Sequence, residues 1–233
     1  MRSEEKDVTR SPKWGSLCGA ALAVLWAPMG IIVLQLPDLS SRTKIDHFYR
    51  GQGDLLKMVL ALAAVGFFFL LGFLGALVER LRRAEGSGPL AWIAFGSALL
   101  FMTSLSIALG LAAAAELLSR QGTPAIVYTL HAGAFVLAAP VALVGTAFFV
   151  AVALLSFRAA VFPLWLAWAA LTAAFANAGA VGGFFSLTGP LNSGNGAVGG
   201  PAVPILSWVL WIALASAVMV NETPSPTASA SDR

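Results

Sequence analysis

The stretch LLKMVLALAAVGFFFLLGFLGALVERLRR, residues 55–83, decides the fold. Between positions 58 and 78 it carries no charged residue, and about 20 helical residues suffice to cross a bilayer core of about 30 Å. It then stops on Arg80, Arg82 and Arg83, the kind of basic cluster that holds the end of a spanning helix on the cytoplasmic side. A run this long, this apolar and stopped this way reads as a transmembrane helix.

Working outward from it, five further runs have the same character: 14–36, 89–115, 124–156, 161–187 and 203–220. The fourth in chain order, 124–156, is longer than a bilayer needs; tilt, a kink at Pro140 or a start within the interface absorbs the excess. The composition agrees with six spans. Of 233 residues, 58% are hydrophobic and only 11% charged, against about 25% charged in soluble domains, and the mean hydropathy is +0.84. There is too little charge to coat a soluble domain, so lipid must face most of the chain.

The net charge of +3 does not indicate a nucleic-acid partner, because the 14 basic residues sit in short segments between apolar runs. They orient the bundle instead. With the amino terminus inside, nine fall on the inner side (Arg2, Lys6, Arg10, Lys13, Arg80, Arg82, Arg83, Arg158, Arg233) and five on the outer (Arg42, Lys44, Arg50, Lys57, Arg120). That excess places both termini in the cytoplasm. Tryptophans are expected at the interfaces: Trp14, Trp92, Trp165 and Trp168 near inner helix ends, Trp208 and Trp211 near the outer end of the last helix. The domain organisation is then a charged cytoplasmic leader, 1–13, a six-helix transmembrane domain, 14–220, and a disordered tail, 221–233, rich in Ser, Thr, Ala and Pro. The first apolar run is too long for a signal peptide and reads as a retained span. Cys18 is the only cysteine, so no disulfide forms within the chain.

Two outer connections stand out. Residues 41–50, SRTKIDHFYR, are expected to form a short helix capped by Ser41, lying on the outer surface or against the bundle. Ile45, Phe48 and Tyr49 would share one face, with i,i+4 pairs of Arg42 with Asp46 and Asp46 with Arg50 on another. Residues 188–204 hold five glycines, three prolines and no charge. They read as a flexible loop serving as cover or spacer, without the strand and lysine a phosphate cradle needs.

Most small residues are explained by packing: Gly15 and Gly19, and Gly179 and Gly183, have the four-residue spacing that lets helices approach closely. Polar groups in the spans are the better functional markers, since hydrocarbon makes them costly. Glu116 ends the third span and His131 lies one or two turns into the fourth, so a hairpin brings both near the outer face. With His47, Asp46 and Asp54 from the first outer loop they offer a candidate divalent-metal or proton-exchange cluster, His47, Glu116 and His131 being the metal candidates. Asn177 lies deep in the fifth span, where such a residue more often joins helices than binds substrate. There is no HExxH, GxSxG, Walker loop or CxxC and no pair of intramembrane aspartates. The sequence therefore leans away from an enzyme and calls for no cofactor.

The segment Ile45-Asp46-His47-Phe48-Tyr49, the Arg80-Leu81-Arg82-Arg83 stop and Phe162-Pro163-Leu164-Trp165-Leu166 at the start of the fifth span make the chain resemble a family of small, uncharacterised multi-pass membrane proteins of high-GC bacteria. The resemblance covers residues 14–220. It implies a six-helix integral membrane architecture, and such a family carries no assigned activity to transfer. Two functional expectations follow. The first is a structural or accessory subunit of the plasma (inner) membrane, which has the lipid bilayer and a membrane-protein partner or a second copy of itself as neighbours and a tightly filled interior. The second is a carrier or binder of a small neutral or apolar molecule, which has an outward cavity, the glycine-rich loop as lid, and Glu116, His131 and Asn177 as polar contacts.

Overall fold

The computed structural model describes residues 13–221; all but the last residue of the charged leader and all but the first of the Ser/Pro-rich tail lie outside the described residues. Within them the chain is all helix and turn. Six helices are long and apolar enough to cross a membrane: α1 Lys13–Val33, α2 Arg42–Glu85, α3 Leu90–Ser119, α4 Pro124–Ala159, α5 Leu164–Gly179 with a following 3-10 turn Ala180–Phe184, and α6 Ala202–Asn221. The α1–α2, α3–α4 and α5–α6 connections meet at one end of the bundle, the loop end. Tyr128 at the start of α4 donates its hydroxyl to the Leu39 carbonyl at 3.1 Å. A side chain at Gly194 in the α5–α6 connection would lie 2.5 Å from the Pro37 carbonyl.

The opposite, arginine end is tied by side chains. Arg80 of α2 donates to the Val161 carbonyl between α4 and α5 and lies over the Phe162 ring at 4.7 Å. Glu85 caps the start of α3, accepting from the Leu90 and Ala91 amides at 2.7 and 2.8 Å. Its negative charge sits where the helix macrodipole is positive.

The most consequential difference from the sequence reading is α2. The expected separate outer helix and the second span are one continuous helix of 44 residues. Ser41 does cap it, accepting from the Lys44 amide at 3.3 Å, and Arg50 pairs with Asp46 at 2.9 Å. Arg42, however, stacks over the Tyr128 ring at 5.3 Å rather than standing with Asp46. Gly51 and Gly53 do not break the helix, because a helical glycine costs only about 1 kcal/mol and the buried stripe runs on through Gly53 in phase: Ile45, Tyr49, Gly53, Leu56, Val59, Ala63. That stripe packs the outer segment against the bundle.

Small residues act as expected on α1. Gly15 meets the Ala76 side chain, and Gly19 seats against Phe73 and Ser216, joining α1 to both α2 and α6. Gly183 differs: what approaches it is the Gly199 carbonyl of the α5–α6 connection, 2.6 Å from where a Cβ would stand. That connection is folded, not loose. Asn192 holds it from the centre, accepting the Gly194 and Asn195 amides at 2.9 Å each and donating to the Gly189 carbonyl at 2.6 Å.

The tryptophans divide. Trp14, Trp92, Trp165 and Trp168 are about half exposed on the outside of the bundle. Trp208 and Trp211 are buried, correcting their expected interfacial place. Trp208 stacks on Phe101 at 4.2 Å and on Phe148 at 4.4 Å, and Trp211 meets Phe148 edge-on at 5.6 Å. The face of α6 that carries them looks inward to α4, so they fill the core.

Candidate functional site

The polar residues singled out from sequence are all in the loop-end half, but they form separate pairs. His131, fully buried on α4, shares a hydrogen bond of 3.0 Å with the Tyr49 hydroxyl of α2 through Nδ1. Its ring is edge-on to Tyr49 at 5.5 Å and tilted over Phe135 at 4.5 Å. Nε2 has no hydrogen-bond partner. Because α2 is unbroken through Gly53, Tyr49 lies nearly two turns before the second span as read from sequence and faces α4 there.

Glu116, with a side chain 2% exposed, pairs with Lys57 of α2 at 3.2 Å through Oε1. Lys57 also reaches Asp54 at 3.6 Å, and Arg120 reaches the same Asp54 oxygen at 3.6 Å. Gly53 makes room for this arrangement: a Cβ there would lie 2.8 Å from Glu116 Oε1. Glu116 Oε2 is buried with no hydrogen-bond partner. A buried carboxylate is tolerated only when paired, and here the pairing is half complete.

Glu116 and His131 therefore do not share a site. His47 lies on the exposed face of α2, away from both. Among the described residues there is no group of three or more His, Cys, Asp or Glu able to hold a metal ion, which removes the proposed cluster of His47, Glu116 and His131. The physical reason is the straight course of α2, which turns Tyr49 and Lys57 toward the two span residues and leaves His47 outside.

Asn177 of α5 is fully packed. Its amide donates to the Ala173 carbonyl at 2.8 Å and to the Ser207 hydroxyl of α6 at 3.0 Å, so it joins two helices. Its Oδ1 is buried with no hydrogen-bond partner, and Asn177 is not among the residues that line the bundle's apolar cavity. At the α1–α2 connection Asp38 accepts from the Ser40 hydroxyl at 2.6 Å and faces Lys44 at 3.4 Å. The serine hydrogen bond first, and the lysine charge with it, hold its carboxyl below the usual value, against the opposing effect of burial.

Between these pairs lies an apolar cavity of about 70 Å³. Met29 and Val33 of α1, Leu56 and Val59 of α2, Ala108 and Ala112 of α3, Ala134 of α4 and Ile205 of α6 wall it, and Tyr49 contributes the one hydroxyl-bearing side chain. Pro201, at the end of the glycine-rich connection, touches both this space and a smaller neighbour of about 30 Å³ bounded by Gly199 and Gly200. The folded connection thus covers the cavity's loop end. Leu60, Leu109 and Phe135 on its rim are only half-buried.

Tyr49 and Lys57 were missed as site residues. The available signal was the seven-residue step from Tyr49 to Leu56, which puts the tyrosine on the same inward stripe as the span. Comparison of the chain with family models, with curated proteins and with solved structures gave no match.

Proposed function

We propose that this multi-pass membrane protein, with both termini in the cytoplasm by its inner-side excess of arginine and lysine, binds a small, apolar molecule in the cavity between α1, α2, α3, α4 and α6. The observation that carries this reading is the cavity's lining. An empty space of about 70 Å³ costs about 2 kcal/mol at roughly 24 cal/mol per Å³. Water is a poor occupant, because a buried water needs two to four polar partners and the lining residues offer one hydroxyl. Since Leu60, Leu109 and Phe135 form the rim within helices suited to span a membrane, the nearest source of an apolar occupant is the hydrocarbon of the bilayer. At about 70 Å³, half of a dry cavity that takes benzene at about 150 Å³, the cavity admits the end of a single chain and not a drug-sized ligand, which takes about 300 Å³ or more.

The test is retention of lipid on the purified protein. Native mass spectrometry in mild detergent is expected to find a bound apolar species on the wild type and to lose it in Ala112→Phe or Ala108→Phe, which fill the space. Equal retention by the filled variants, with folding intact by thermal melting, overturns the reading.

A structural or accessory role is favoured by a different observation, the aromatic cluster in the middle of the bundle, where Phe101, Phe148, Phe149, Trp208 and Trp211 pack α3, α4 and α6 together. It is tested by whether the protein co-purifies stoichiometrically with one membrane partner or as a dimer of itself.

A further inference from the structure

At the arginine end, α2 and α3 part to leave an open groove of about 490 Å³. Gly75, Val78, Glu79, Arg82 and Arg83 form its α2 wall, one helical face by their three- and four-residue steps, and Trp92 of α3 stands opposite. We propose that this groove seats the phosphate head of an anionic phospholipid, with Arg82 as its main contact. Arg82 lies over the Trp92 ring at 4.8 Å. A ring face attracts the cation but takes up none of the five N–H donors of a guanidinium, and among the described residues Arg82 has no carboxylate partner. The tryptophan thus holds the charge in place and leaves its donors for a ligand. Arg83 donates to Glu79 and is about half exposed. Two guanidinium groups therefore face one carboxylate, a surplus of one positive charge that one phosphodiester balances. Glu85, the next acid along α2, has its two oxygens on the Leu90 and Ala91 amides and stays out of the groove.

Charge alone would suit a free phosphate equally well; the other end of the groove selects a lipid. Gly75 lies about 10 Å farther along α2 than Arg82 at 1.5 Å per residue, and a side chain there would meet nothing within 4 Å. The charged rim thus passes through Val78 into an open, apolar slot on a helix suited to span a membrane. A phospholipid matches this order, with its phosphate level with the two arginines and the first carbons of a chain against Val78 and Gly75. Trp92, 53% exposed, has the amphipathic ring that settles at head-group depth. With this end cytoplasmic, as proposed above, the groove opens to the leaflet whose surface is negative with anionic lipid.

The experiment titrates the full-length protein in nonionic detergent with phosphatidylglycerol and with phosphatidylcholine of the same chains, and reads the lipid adducts by native mass spectrometry. One arginine near a membrane surface is worth about fivefold in affinity for anionic lipid, so the wild type is expected to favour phosphatidylglycerol by about that factor. Arg82→Gln is expected to remove the preference. Arg158→Gln takes the same charge from the same end of the bundle, on α4 and outside the groove, and is expected to leave the preference in place. Should Arg82→Gln fail to fold, Trp92→Leu keeps every charge and, by releasing Arg82, is expected to lower the preference as well. Equal binding of the two lipids by the wild type overturns the site, and so does an equal loss from Arg82→Gln and Arg158→Gln, which would mean a diffuse basic surface. Displacement of phosphatidylglycerol by inorganic phosphate at millimolar concentration overturns the lipid as occupant and assigns the groove to a free anion.

Discussion

The Tyr49 hydroxyl lies 3.0 Å from His131 Nδ1, joining α2 to α4 across 82 residues of chain. The bond completes one ring nitrogen of a histidine that has no access to solvent. Tyr49→Phe removes the hydroxyl and keeps the ring, so the histidine loses its polar neighbour without a cavity forming. Interhelical hydrogen bonds within membranes average about 0.6 kcal/mol with a maximum of about 1.7 kcal/mol, and the variant is expected to lose about that much in reversible SDS unfolding. Since both partners belong to one interaction, Tyr49→Phe combined with His131→Phe should cost less than the two separate losses together. Full additivity would show that the pair is not coupled.

The tryptophans give a contrast that separates core from lipid surface. Trp208 is fully buried between Phe101, Phe148 and Phe149, and truncating a buried aromatic costs about 3–5 kcal/mol. Trp168 is 56% exposed. Trp208→Ala is therefore expected to lower the melting temperature severely in detergent and Trp168→Ala only slightly. Similar losses would place Trp208 outside the core.

Two glycines test the helix seams. A Cβ at Gly19 would stand 2.5 Å from the Phe73 ring and press on the Ser216 hydroxyl, whereas one at Gly75 meets nothing within 4 Å. Gly19→Ala is expected to destabilise by about 1–3 kcal/mol, the range for overpacking. Gly75→Ala is expected to be neutral or to stabilise by up to about 1 kcal/mol, as removing a helical glycine does. Thermal melting of the two variants reads the difference, and a stable Gly19→Ala would mean that α1 sits farther from α2 and α6.

Acid should loosen the start of α2. Asp38 is held below its ordinary value of 3.8 by the Ser40 hydroxyl and then by Lys44. A depressed folded-state value means that the stabilisation is present in full above the unfolded value and disappears as pH falls through the lower folded one. Asp38→Asn is thus expected to melt below the wild type at pH 7 and level with it once the pH has fallen below the depressed folded-state value. A difference that persists unchanged in acid would assign the effect to something other than the carboxylate.

The six long apolar helices were legible because hydrocarbon imposes length and apolarity, and those properties are carried by single segments such as 58–78. The Ser41 cap and the inward face of Ile45, Phe48 and Tyr49 were legible for the same local reason. What was not legible depends on which faces meet. Nothing local marks Gly53 until Glu116 is seen to fill the space beside it. Trp208 looks like an interfacial anchor until Phe148 of another helix is found stacked on it. Glu116 and His131 were correctly marked as costly groups, yet their partners, Lys57 and Tyr49, both came from α2. No spacing within α3 and α4 points to them.

The unbroken course of α2 has a mechanical consequence. At 1.5 Å per residue, its 44 residues make a rod of about 66 Å, with no proline along it to act as a joint. Near one end it is bolted by Arg80 to the Val161 carbonyl, and toward the other it carries Tyr49, Leu56 and Lys57 into the cavity wall and its two polar pairs. A stiff rod held near both ends moves as one piece: a tilt of about 5° about its middle carries Arg80 by about 2 Å and Leu56 of the cavity wall by about 1 Å in the opposite direction.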